Sequence, residues 1–215
     1  RVLSLLSAGI DSPVATWLMM KRGCEVTSLH VDGGAYAGRD VRPTAERHHA
    51  VLSGWCAGFP MELLVVDAEP FYDAIMKKGP ARYRCVLCKR FMLGLGSAIV
   101  KDRSFEALVT GDSLGQVASQ TLTNMATISE AATVPLLRPL IGFDKEEVVG
   151  IARNIGTFDT TQGDLACQAV PRTPATAARS KEIREAEDLV GMNELISGAM
   201  DRLSIIQGLN GKIVP

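Results

Sequence analysis

No apolar run in the 215-residue chain approaches the roughly 18–20 residues that a membrane-spanning helix needs. No signal peptide is expected either, because the first apolar segment is followed at once by a Ser/Gly loop and a helix-like stretch. Both absences fit a cytoplasmic protein. Aromatic residues make up only 5% of a chain that is 47% hydrophobic, so the core must be aliphatic and rich in Ala and Met. The formal charge of −1 leaves no global excess of cations with which to capture nucleic acid. The cysteines number five, an odd count in a chain without secretory features, so a disulfide framework is not expected. A G-x-x-x-x-G-K-[ST] motif is also missing, which excludes the lysine-bearing phosphate loop of kinases and GTPases.

In that motif's place stands Ser7-Ala8-Gly9-Ile10-Asp11-Ser12. Val2–Leu6 before it reads as a buried parallel strand. After it, Pro13 suits a first helical residue with Ser12 as N-cap. A small-residue loop between a strand end and a helix N-terminus offers free N–H groups and the positive helix end to an anion. Further strands are expected at Glu25–Val31, Glu62–Val66, Ala107–Thr110 and Val134–Leu137. Helices are expected at Pro13–Arg22, Arg42–Trp55, Pro70–Lys78, Val86–Lys101 and Gln116–Met125. This alternation predicts a doubly wound α/β fold, a parallel sheet with helices on both faces and ligands outside the strands' carboxyl ends. Asp144–Glu147 resembles a capping box opening a helix that runs to about Asn154. Thr157–Ser180 lacks periodicity and reads as a long loop, the kind that is functional or disordered. Two amphipathic helices are expected in the tail, with Ile183, Ala186 and Val190 on one face and Leu195, Ile196, Ala199, Met200 and Leu203 on the next. The expected organisation is one domain over residues 1–180, with residues 181–215 as a helical tail packed on it.

Cys85-Val86-Leu87-Cys88 places two sulfurs on one side of a helix turn. Taken alone it reads as half a zinc site, part of a cluster, a redox dithiol or two buried cysteines. With Cys167 as a third ligand it suits an iron–sulfur cluster that leaves one iron open. Cys167 also reads as a nucleophile, since it sits in a Gly/Pro/Thr loop and not in an apolar strand. Cys24 and Cys56 are assigned to packing. Lys77, Lys78, Arg82, Arg84, Lys89 and Arg90 form a basic run with no acid among them, either a solvated turn or a polyanion contact. Thr110–Thr121 carries glycines, hydroxyls and amides at a strand terminus, poor core material and good ligand material. His30 ends the second strand on the rim of the Ser7 loop, and His48 and His49 receive no role.

These segments, in order, resemble the tRNA 4-thiouridine synthetase family, the ThiI-type tRNA sulfurtransferases. The likeness rests on Leu5–Ala15 with its pyrophosphatase (PP) loop, on Gly111-Asp112-Ser113-Leu114-Gly115-Gln116-Val117-Ala118-Ser119-Gln120-Thr121, and on Leu137-Arg138-Pro139-Leu140-Ile141. The resemblance implies an adenine nucleotide alpha hydrolase type of fold. ATP contacts would fall on Leu5, Leu6, Ser7, Gly9, Asp11, Ser12, His30, Val31, Lys89, Gly111 and Gln120. It further implies Asp11 beside magnesium–pyrophosphate and Cys167 in sulfur transfer, with Asp11 and Cys167 as the catalytic pair. The implied reaction adenylates a tRNA uridine, releases pyrophosphate and replaces the C4 oxygen with sulfur. Cys85, Cys88 and Cys167 match archaeal-type relatives that look like iron–sulfur enzymes, with zinc as the alternative occupant. The sulfur donor would be sulfide or a persulfide-carrying protein. Ala8 departs from the family's second loop glycine, and the sequence holds no counterpart of the rhodanese or THUMP domains. RNA capture would then fall to a homodimer, to a separate THUMP-type chain or to a removed segment. The rival readings are another PP-loop thiolation (2-thiouridine or a small molecule) and a non-catalytic module that binds ATP, a cluster or RNA.

Overall fold

The computed structural model describes residues 1–161 and 163–214. Gln162, inside the expected loop, and Pro215, at the end of the expected tail, lie outside the described residues. One seven-stranded sheet runs through the molecule in the order β5-β4-β1-β2-β3-β6-β7. β1 (Val2–Leu5), β2 (Val26–Asp32), β3 (Met61–Asp67), β4 (Ala107–Val109) and β5 (Leu136–Leu137) are parallel. Their side chains alternate between two cores, as a sheet buried on both faces requires. In β3, Leu64 and Val66 pack on one side, and Leu63 and Val65 on the other.

The first core is closed by α3 (Glu69–Lys77), α4 (Arg84–Asp102), α7 (Ser180–Val190) and α8 (Met192–Met200); Phe71 and Phe91 stack at its centre, 4.1 Å between ring centroids. The second lies under α1 (Asp11–Lys21), α2 (Val41–Ser53) and α6 (Lys145–Ile155), and includes Leu52, Val148 and Ala152. α6 opens on the expected capping box: Asp144 accepts from the Glu147 N–H, and Glu147 accepts from the Asp144 N–H. It closes on Gly156 in the left-handed region. Thr157–Arg179 carries no helix or regular strand among its described residues, only a bridge from Cys167 to Ala37.

Three expectations need correction. α1 starts at Asp11, and Ser12 is not its cap: the Ser12 hydroxyl accepts from the Ser7 N–H and so serves the loop. Gln116–Met125 is not one helix. It begins with a turn at Gly115 (φ +77°) and a 3-10 turn at Ala118–Gln120; α5 (Leu122–Ser129) starts only where Thr121 caps it. The tail is not wholly helical. After α8 the chain forms β6 (Leu203–Leu209) and β7 (Lys212–Val214), antiparallel strands that extend the sheet beyond β3. Leu203, expected on a helix face, is paired with Val66 in that extension.

Candidate active site

β1 lies between β4 and β2, so the winding direction reverses at β1 and a crevice opens beyond the carboxyl ends of β1 and β4. A cavity of about 460 Å³ occupies it. All eleven residues expected to contact nucleotide line this cavity, from Leu5 and Leu6 through the Ser7–Ser12 loop to His30, Val31, Lys89, Gly111 and Gln120.

The loop is braced from within. Ser7 donates its N–H to the Ser12 hydroxyl at 2.8 Å, the two hydroxyls lie 2.9 Å apart, and the Gly9 N–H reaches Ser7 Oγ at 3.2 Å. Ala8 is buried and has a negative φ, so it stands in the glycine position without backbone strain. Because no side chain caps the start of α1, the helix's first N–H groups and its positive end are left to a ligand. Gly111 packs directly against this start: a Cβ there would lie 2.8 Å from the Ser12 N and Cα.

Charge is supplied from three sides. Lys89 Nζ lies 2.5 Å from Asp112 Oδ1, while Arg138 Nε (3.4 Å) and the Thr110 hydroxyl (2.9 Å) share Oδ2. Burial alone would raise the Asp112 carboxyl; Lys89, Thr110 and Arg138 outweigh it and hold the group below the ordinary carboxylate range. Lys145 Nζ, at the start of α6, is 2.7 Å from Asp11 Oδ1. His30 is buried, its Nδ1 is 2.9 Å from the Leu6 carbonyl, and burial lowers its pKa.

Cys167 stands at the cavity's edge, and Cys85 and Cys88 lie near enough for the three thiols to influence one another. Cys167 lines the cavity; Cys85 and Cys88, on the first turns of α4, do not. Tyr72, a wall residue, reaches through to Cys88 with its hydroxyl 3.3 Å from Sγ. Burial raises the Cys88 thiol to about 12, with Cys85 and Cys167 adding to the rise; burial and then Cys167 raise Cys85. Among the described residues no three His, Cys, Asp or Glu side chains form a group that could hold a metal ion.

The family model described as thiamine biosynthesis protein (ThiI) matches residues 1–192. The chain belongs to the ThiI family. Relatives named "Probable tRNA sulfurtransferase" include those of Thermococcus kodakarensis (42% identical over 86% of this chain and 49% of the relative) and Thermus thermophilus (39% over 96% and 51%). That of Methanothermobacter thermautotrophicus is 38% identical over 92% and 51%. This ThiI-family chain therefore spans about half the length of the curated relatives it matches. A crystal structure of a 4-thiouridine synthetase–RNA complex with bound ATP superposes with a TM-score of 0.90 at 29% identity, over all of this chain and 55% of that one. The NMN synthetase of Francisella tularensis, at 15% identity and a TM-score of 0.59 over 94% of this chain and 84% of that one, shares the fold alone.

Sequence reasoning passed over several side chains that the fold brings to the site. The sequence marks Lys145 and Asp112 only as members of motifs, with no role of their own. His48, to which the sequence assigns no role, is fully buried against the loop. In the basic run, Lys77 pairs with Asp73, Lys89 with Asp112, and buried Arg90 with Glu187, so only part of it faces outward. No helix among the described residues is long and apolar enough to cross a membrane.

Proposed function

We propose that this chain is the adenylating and thiolating unit of a tRNA sulfurtransferase that makes 4-thiouridine. The observation that carries the reading is the convergence, at one crevice, of a braced phosphate loop at an uncapped helix start, two lysines and Cys167. ATP would lie across β1 and β4 with its phosphates on the amides of Ser7–Ser12. Asp11 supplies a carboxylate for the magnesium that accompanies ATP. The uridine O4 attacks the α-phosphorus and pyrophosphate leaves, its charge offset by the loop N–H groups, Lys89 and Lys145. Hydrosulfide then adds at C4 and AMP departs with the former O4, so the replacement needs no oxidant or reductant.

Cys85, Cys88 and Cys167 would hold an iron–sulfur cluster, which when bound supplies an open iron at which sulfide is presented. Exposed Lys78, Arg82, Arg172 and Arg179 offer phosphate contacts for tRNA; the backbone bond from Ala175 N–H to the Arg82 carbonyl (2.9 Å) brings their two segments together. The ATP- and RNA-bound structural relative supports both substrates. The test is anaerobic purification of wild type and Cys167→Ala, with iron and sulfide analysis, an absorption spectrum, and assay of 4-thiouridine from tRNA, ATP and sulfide. Near-stoichiometric iron and sulfide that are lost in the variant, together with thiolation by wild type, are expected. A colourless, iron-free wild type that still makes 4-thiouridine from sulfide would overturn the cluster and leave hydrosulfide to add at C4 directly.

A further inference from the structure

The loop that carries Cys167 and the loop that would cradle phosphate are far apart in sequence, yet one side chain touches both. His48, on α2, is fully buried. Its Nδ1 lies 3.1 Å from the Ser7 carbonyl and its Nε2 3.0 Å from the Thr161 hydroxyl. A carbonyl only accepts, so Nδ1 carries the proton; the Thr161 hydroxyl faces two acceptors, the bare Nε2 at 3.0 Å and the Thr157 carbonyl at 3.3 Å, and the shorter contact takes its proton. Burial lowers the pKa of His48 and favours this neutral form.

Each end of the imidazole fixes something specific. In a planar trans peptide the C=O and the next N–H point in opposite directions. Holding the Ser7 carbonyl on His48 therefore turns the Ala8 N–H away from α2 and fixes the plane of the loop's first amide. At the other end, Thr161 leads into a segment clipped to the β2–α2 connection. Gly38 N–H donates to the Ala166 carbonyl at 2.7 Å, Gln168 N–H to the Tyr36 carbonyl at 2.9 Å, and Asp164 N–H to Asp40 Oδ2 at 2.8 Å. Cys167 lies between two of these clips.

We propose that His48 is a positioning residue that couples occupancy of the phosphate loop to the ordering of the Cys167 loop, through the Ser7 carbonyl on one side and the Thr161 hydroxyl on the other. The inference rests on the reading of the Ser7 loop as an ATP phosphate site. Ligand that draws the Ser7–Ala8 peptide into one orientation strengthens the His48 bond, polarises the ring and tightens the bond from Thr161. By linkage, anything that loosens the Thr161 end must weaken ATP by the same factor.

The test measures amide hydrogen exchange by mass spectrometry, with and without saturating ATP, alongside calorimetric ATP affinity. It uses wild type, Thr161→Val and Thr161→Ser, because replacing fully buried His48 risks the fold. Expected is a slowing of exchange at Asp164, Ala166 and Gln168 by about tenfold on ATP binding in wild type and Thr161→Ser, and by only about twofold in Thr161→Val, whose ATP affinity falls by the missing factor of about five. A Thr161→Val loop that responds to ATP as fully as wild type, or a wild-type loop that binds ATP without responding, overturns the coupling alone. A wild-type chain that binds no ATP overturns both the coupling and the phosphate-site reading.

Discussion

Lys145 and Asp11, the first residues of α6 and α1, form an ion pair of 2.7 Å beside the Ser7–Ser12 loop. The capping box beneath Lys145 fixes where its chain begins, so the ammonium is delivered to the loop by a helix start and not by a flexible segment. Lys145 is half exposed, and such a pair contributes less than about 1 kcal/mol to folding. In the proposed reaction its weight lies in where the cation stands when pyrophosphate leaves. Lys145→Met should leave chemical denaturation within about 1 kcal/mol of wild type. It should slow pyrophosphate release by about a hundredfold, the usual effect of removing one group aimed at developing charge.

Gly111 offers a steric test of the same cradle. An added Cβ would sit 2.8 Å from both the Ser12 N and Cα, and backbone cannot yield as a flexible side chain does. Gly111→Ala should push β4 and the start of α1 apart and weaken ATP binding, read by calorimetry, by about tenfold or more. Overpacking of this kind costs about 1–3 kcal/mol.

Much of this site is legible without coordinates because its parts are local. The strand–loop–helix at Val2–Lys21 and the polar block after β4 announce themselves by residue type, and the β/α alternation places them at one edge. What escapes is long-range. Nothing near His48 signals that α2 buries it against Ser7; Arg47 and Glu46 beside it suggest a surface. The β6–β7 hairpin is a different kind of miss. Asn210-Gly211 is a strong short-range hairpin signal, and both residues take positive φ (50° and 82°), as the turn requires. Its strands are half-exposed edge strands, with Ile205 and Ile213 outward, so their pattern reads more weakly than the helices before them.

Acid should act on the protein through His49. Burial lowers its imidazole to about 4 from the ordinary 6.5, the bond to the Met61 carbonyl offsetting part of the effect. Because the folded value lies below the unfolded one, the unfolded chain binds the proton first. The stabilisation is complete above about pH 6.5 and is lost as pH falls toward about 4. At pH 5 the loss from this group should be about 2 kcal/mol. Denaturant titrations at pH 7.5 and pH 5 should show a loss in wild type that is about 2 kcal/mol smaller in His49→Gln, with buried His30 and His48 adding losses of the same sign to both.

The proposed binding of tRNA to the exposed cations is separable from the proposed catalysis by its dependence on salt. Arg82, stacked over Tyr83 with its guanidinium carbon 4.9 Å from the ring centroid, belongs to the 3-10 turn just before the cysteine helix. Arg172 and Arg179 lie in the Cys167 loop, whose Ala175 N–H bonds the Arg82 carbonyl, and none of the three lines the candidate nucleotide cavity. A cation that only meets phosphate adds affinity by releasing a counterion, so its removal changes the steepness with which affinity falls as salt rises. Each of Arg82→Ala, Arg172→Ala and Arg179→Ala should reduce the slope of log affinity against log salt for tRNA by about 0.7–0.9. Adenylation of saturating tRNA should stay near the wild-type rate, because none of these side chains faces the reacting phosphates. An unchanged slope in all three variants would move the RNA surface to another face of the molecule, whereas a lost rate at saturation would place these arginines within the reaction itself.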